Sequence, residues 1–173
     1  MRVITIVFLL VLSLFLVHAV SAADFINDYK AEYFLTISPD QKLNAHVKFT
    51  LTMTNLRSDV YVKKVTLGFP RTFVINGIKA SDNTGPYKPD VTSDAVKTNI
   101  LIDFHDPSIG KDSQNIARLE FDQENLFKVN GNVWEVILPT VEDTAKKNYQ
   151  IIVCLRGNFF QKKQYTMTLT LRK

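Results

Sequence analysis

Few residues in this sequence belong to the types that do chemistry, and none stands in a spacing that closes a site. The densest polar cluster is Asp103-Phe104-His105-Asp106-Pro107. If a strand runs through it, Asp103 and His105 share a face. An aspartate beside a histidine can orient the imidazole or share a metal. Two or three ligands do not make a closed metal site, and no distant partner can be assigned. The expectation is a strand-end turn of solvated polar groups, with no metal and no cofactor. A small secreted hydrolase built on Asp103, His105 and Asp106 is the catalytic alternative. His46 falls on the polar face of an alternating run, and His18 lies in the apolar N-terminal segment. Cys154, the only cysteine, sits inside Ile151-Ile152-Val153-Cys154-Leu155. That is the context of a buried strand, whereas reactive thiols favour exposed, electropositive positions. A lone cysteine also rules out a disulfide within the chain. There is no Ser nucleophile elbow, no His-Glu-x-x-His and no phosphate-binding glycine loop.

Two stretches read better as contact surface than as catalyst. Ser81 to Lys97 is the clearest irregular segment, rich in turn formers including Gly85, Pro86 and Pro89. Loops of this length are uncommon in compact domains and are often functional. Asp82, Asn83, Tyr87, Lys88 and Asp90 are its candidate binding residues; a plain connection between sheets is the simpler alternative. Phe159-Phe160 follows the turn signal Arg156-Gly157-Asn158 and precedes Gln161-Lys162-Lys163. Adjacent strand residues face opposite ways, so one of the two rings is a candidate exposed aromatic.

Alternating strands must position these groups. Tyr29, Ala31, Tyr33, Leu35 and Ile37 interleave with Lys30, Glu32, Phe34 and Thr36. After the turn formers Ser38 to Lys42, residues Leu43, Ala45, Val47, Phe49, Leu51 and Met53 alternate with polar side chains rich in Thr. The pair reads as a β-hairpin. Further strands are expected at Tyr61–Phe69, interrupted by Lys63; at Phe73–Ala80, with a tight turn or bulge at Asn76-Gly77; and at Asn99–Phe104 and Ile116–Phe121. Asp122–Asn132 reads as a turn, followed by a strand at Trp134–Leu138. Thr140–Asn148 has room for one helical turn. Tyr149–Leu155 is apolar on both faces, as in a central strand, and Tyr165–Leu171 forms the last strand. Eight or nine strands without an amphipathic helix predict an all-β, two-sheet antiparallel β-sandwich, immunoglobulin-like in general architecture. A barrel is the alternative, and a parallel α/β sheet lacks its crossover helices.

The N-terminus reads as a secretory signal over residues 1–22, leaving a single domain over residues 23–173. Met1-Arg2 gives a positive start, Val3 to Val17 is apolar except for Thr5 and Ser13, and Val20-Ser21-Ala22 fits a cleavage site. The localisation expected is secreted or extracytoplasmic; the alternative is an uncleaved anchor of about 20 residues. The whole chain carries +4. Its basic pairs are scattered, which argues against a nucleic-acid partner.

The opening of the domain carries a resemblance. It combines Asp24-Phe25, Tyr29-Lys30-Ala31-Glu32-Tyr33, the run Ala45 to Asn55, Tyr61 and Ile78-Lys79-Ala80-Ser81-Asp82. Over roughly Asp24 to Leu138 this resembles the N-terminal accessory β-sandwich of bacterial exported or membrane-anchored transglutaminase-like proteins. The resemblance implies an accessory or stand-alone envelope module. In that family the catalytic Cys, His and Asp lie downstream of the sandwich, so no catalytic residue carries over to this sequence. The expected function is therefore an exported, non-enzymatic β-sandwich that binds a protein or cell-envelope component. Besides the hydrolase, a β-barrel carrier of a small apolar ligand is an alternative.

Overall fold

The computed structural model describes residues 24–37, 43–124, 126–130, 133–139, 143, 145–156 and 166–172. The expected signal segment 1–22 and the Phe159-Phe160 pair lie outside the described residues. The described chain is all-β. Its strands are β1 (Phe25–Ile37), β2 (Leu43–Asn55), β3 (Lys64–Pro70), β4 (Val74–Ser81), β5 (Pro86–Tyr87), β6 (Asp90–Ser93), β7 (Lys97–Asp103), β8 (Gln114–Glu124), β9 (Phe127–Asn130), β10 (Val133–Pro139), β11 (Lys146–Arg156) and β12 (Thr166–Arg172). Among the described residues no helix is long and apolar enough to cross a membrane.

The strands form a β-sandwich. Among the described residues one sheet has six strands in the order β11-β1-β2-β8-β4-β5, with β11 and β5 at its edges. A three-stranded sheet, β3-β7-β6, packs over it, and a second, β12-β10-β9, adds to the same core. The cause is the period-two pattern. Tyr33, Leu35, Val47, Leu51, Leu119 and Phe121 line the inner face of the large sheet, while Ile100 and Ile102 meet them from β7. Phe69 of β3 spans the gap, its ring edge-on to Phe49 (centroids 6.2 Å apart) and Phe121 (5.4 Å). Such contacts add about 1 kcal/mol each beyond area burial. Leu126, Val136 and Leu138 extend this core beneath the third sheet.

The expected hairpin forms in full register, from Phe25 opposite Asn55 to Ile37 opposite Leu43. Asn76-Gly77 is a bulge rather than a hairpin turn: the β4–β8 register shifts between Asn76 and Lys79, and Gly77 takes φ +64°. Glycine meets that left-handed requirement without steric cost.

Several segments differ from the sequence reading. Asp122–Asn132, expected as a turn, holds the end of β8 and all of β9, and the strand expected from Tyr61 starts only at Lys64. Tyr149–Leu155 lies in β11, which is an edge strand of the described sheet and pairs in parallel with β1 alone. Ile151 and Val153 pack on the core, whereas Ile152 and Cys154 on the other face stay half-buried. A run apolar on both faces therefore does not require a central place. Lys146–Asn148, allotted to a helical turn, begins this strand; Asp143 launches it by accepting from Ala145 N–H through Oδ1 (2.9 Å). Within Ser81–Lys97, β5 and β6 are ordered strands paired to β4 and β7. The sandwich is antiparallel-rich, with β1–β11 and β10–β12 as its parallel pairs.

Candidate functional site

Two neighbourhoods gather the polar residues that the sequence singles out. The first is built on Asp82, just beyond the end of β4. Its side chain is only 2% exposed. One carboxylate oxygen accepts from Thr84 N–H (2.8 Å), Thr84 Oγ1 (2.6 Å) and Gly85 N–H (3.3 Å), forming the turn into β5. The other accepts from the His105 backbone N–H (3.0 Å) and meets His105 Nδ1 at 3.0 Å. Burial alone would raise the Asp82 pKa. The donors from His105 and Thr84 outweigh it and hold the group well below the usual carboxylate range. A carboxylate has no proton to give, so Nδ1 carries the hydrogen and Nε2 is the free nitrogen of the neutral ring.

Tyr87 completes the corner. Its ring lies edge-on to the His105 imidazole, with centroids 5.0 Å apart. Its buried hydroxyl has no hydrogen-bond partner among the described residues. Burial, reinforced by the negative charges of Asp82 and Asp103, pushes this phenol up to about 12.

Asp103 and His105 do not act as a pair. β7 ends at Asp103, whose carboxylate meets Lys63 Nζ and Lys64 Nζ at 3.1 Å each. These lysines, Lys64 first, hold Asp103 below its ordinary pKa. His105 turns instead to Asp82, and Asp106 is exposed in the following bend. Asn83 reaches Gln114 O at 3.4 Å, and Lys88 is exposed between β5 and β6. The Asp82–His105 pair supplies the oriented-base half of a nucleophilic constellation. Among the described residues no hydroxyl or thiol is hydrogen-bonded to Nε2. No group of three or more His, Cys, Asp or Glu side chains there is arranged to hold a metal. His46 repeats the arrangement in exposed form, with Nδ1 2.9 Å from Asp122 Oδ1.

The second neighbourhood is the outer face of β3-β7-β6. Thr98, Ile100 and Ile102 point inward, so Lys97, Asn99 and Leu101 point outward. The register then sets Thr66 and Asp90 on either side of Leu101, and Gly68 and Thr92 on either side of Asn99. A concavity of about 600 Å³ opens here, lined by Thr66, Asp90, Val91, Thr92, Lys97, Asn99 and Leu101. Gly68 has no side chain to fill it; a Cβ there would come within 3.4 Å of Asn99 Oδ1. Asp90 is the one lining residue named among the sequence candidates. The others were hidden because outward residues of an ordinary strand carry no signal of their own, although a glycine inside β3 marks the depression.

No family model matches the sequence, and no curated protein matches it. Among solved structures, a provisionally assigned nutrient binding protein from Legionella pneumophila is similar over 61% of this chain and 41% of its own, at 8% identity and a TM-score of 0.45. An M1 zinc metallopeptidase from Deinococcus radiodurans bound to a Tyr-Ser-Ala substrate is similar over 61% of this chain and 22% of its own, at 13% identity and a TM-score of 0.36. Another structure of the Deinococcus enzyme gives 60%, 21%, 13% and 0.33 respectively. The chain thus spans about two-fifths of the Legionella protein and about a fifth of the peptidase. At these scores the likeness supplies neither a substrate nor a partner.

Proposed function

We propose that this chain is an exported, non-enzymatic β-sandwich that binds another protein or a cell-envelope component through the outer face of β3-β7-β6. The observation that carries the reading is the concavity of about 600 Å³ on that face. Its hydroxyl, amide, ammonium and carboxylate groups stand around Leu101, and all lie on paired strands. Groups held by a rigid scaffold lose little conformational freedom when a partner arrives. Export rests on the signal-like pattern of residues 1–22. The accessory role in the envelope rests on the transglutaminase-like resemblance of the opening strands.

The test uses the purified domain, immobilised and challenged with envelope extract. Leu101→Lys should lower capture of any retained component about tenfold or more. Thr50→Lys, on the outer face of the large sheet, should leave capture unchanged. Nothing retained above a blank support, or equal loss from both variants, would refute the proposal.

A further inference from the structure

We infer that the free edge of β6 takes up an extended segment of a partner polypeptide as an added antiparallel strand, and that this segment carries basic residues at both ends. The inference deepens the binding reading above and rests on it. It starts from the backbone. Asp94 N–H donates to Lys97 O (3.0 Å), which fixes that couple as a hydrogen-bonded pair of the β6–β7 hairpin. Hydrogen-bonded and non-hydrogen-bonded pairs alternate along an antiparallel ladder. From the observed register, Thr92–Asn99 and Asp90–Leu101 are therefore hydrogen-bonded, whereas Ser93–Thr98 and Val91–Ile100 are not. The N–H and C=O groups of Val91 and Ser93 consequently face away from β7, and no described strand pairs on that side.

The side chains agree. Val91 lies opposite Ile100, which is fully buried, so it belongs to the inward face; yet it remains 45% exposed. The core is open at this edge, and one more strand would cover it. On the outward face, alternate residues of that strand would flank Asp90 and Thr92 at the rim of the concavity. Strand addition gains affinity from main-chain bonds and specificity from alternate side chains. The edge is also set in advance, because Asp94 Oδ1 accepts from Val96 N–H and Lys97 N–H, both at 2.8 Å, and closes the β6–β7 turn.

Charge selects the occupant. If a second copy paired symmetrically about Thr92, the register in which Val91 and Ser93 exchange main-chain bonds, Asp90 of each copy would face Asp94 of the other. Like charges directly opposite destabilise a pair, and short charged edges oppose self-association. A foreign segment with Lys or Arg at those two positions reverses the sign.

The probe is the pentapeptide Lys-Val-Thr-Val-Lys, acetylated and amidated, whose valines oppose Val91 and Ser93. The control is Glu-Val-Thr-Val-Glu. Amide resonances and hydrogen exchange of Val91 and Ser93 report binding at low salt. The lysine peptide should protect both amides and bind at least tenfold more tightly than the control. Ser93→Pro should abolish binding; that N–H serves no bond to β7, so the cost to Tm is that of the lost Ser93 Oγ–Thr98 Oγ1 contact (3.2 Å), which Ser93→Ala measures separately without removing the N–H. Val91→Lys provides a second variant at the same edge, and it should weaken the lysine peptide by tenfold or more. Silent amides at millimolar peptide, equal binding of the two peptides, or self-association through β6 would overturn the inference. If the amides stay silent while Leu101→Lys still abolishes envelope capture, strand addition fails and the outer-face reading stands.

Discussion

Replacing Asp82 with alanine removes an acceptor that serves two turns of the chain at once. Through one oxygen it closes Asp82–Gly85; through the other it fastens the residue after Phe104. Losing a side chain that caps a turn in this way costs about 1 kcal/mol. The charge-assisted bond from the His105 backbone N–H is worth about 1.5–3 kcal/mol. The ring contact adds less, because the imidazole is 57% exposed and water replaces its partner. The expected loss is about 3 kcal/mol at pH 7, or roughly 10 °C in Tm for a domain of this size. Urea unfolding with an unchanged m-value is the assay. His105→Ala, which keeps the backbone donor, should lose about 1 kcal/mol or less. The pH dependence follows in sign. The folded pKa of Asp82 is depressed, so its contribution is complete above the usual value of 3.8 and fades only as pH falls below it. The gap between Asp82→Ala and the parent should stay level from pH 8 to 5 and shrink below 4. A loss under about 1 kcal/mol at pH 7, or a gap that already closes near pH 6, would refute the assignment of Asp82 as the pin of this corner.

Two further substitutions probe buried amides with opposite signs. Asn55 is fully buried, and its Nδ2 lies within hydrogen-bond reach of Val60 O, Ser108 O, Gly110 O and Ser113 Oγ. Asn55→Ala should cost about 2–4 kcal/mol and raise hydrogen exchange across residues 108–113, where unchanged exchange would contradict the role. Gln123 is also buried, but neither its Nε2 nor its Oε1 has a partner among the described residues. Gln123→Leu should therefore raise the thermal midpoint, by about 1–3 kcal/mol of stability; a fall would show that the amide is satisfied in solution.

The sequence exposed the scaffold more fully than the site, and the reason is physical. Tyr29 to Met53 announces its hairpin because burial on one face imposes a two-residue period. Asp90 to Ser93 announces nothing: all four residues are exposed, and the segment is a strand because its register with β7 makes it one. Asp82 and His105 were each named, but as members of separate groups. Their union spans 23 residues of chain and arises where the ends of β4 and β7 meet. Lys63 interrupts an apolar alternation, and its ion pair with Asp103 and its hydrogen bond to Phe104 O (2.6 Å) explain the charge only after β3 and β7 are aligned. Apolar pattern is local, whereas convergence of polar groups is set by topology.

The parallel pairing of β1 with β11 has a consequence for the order of assembly. Asn27 waits for Lys146, so nearly the whole domain must be synthesised before the outer edge of the first strand finds its neighbour. The β1–β2 hairpin closes over a short loop and forms early, leaving that edge as an uncovered template in the meantime. Contacts so distant in sequence slow folding, and an unsatisfied ribbon invites association between nascent molecules. Chains truncated before residue 146, which lack both β11 and β12, should therefore aggregate through β1.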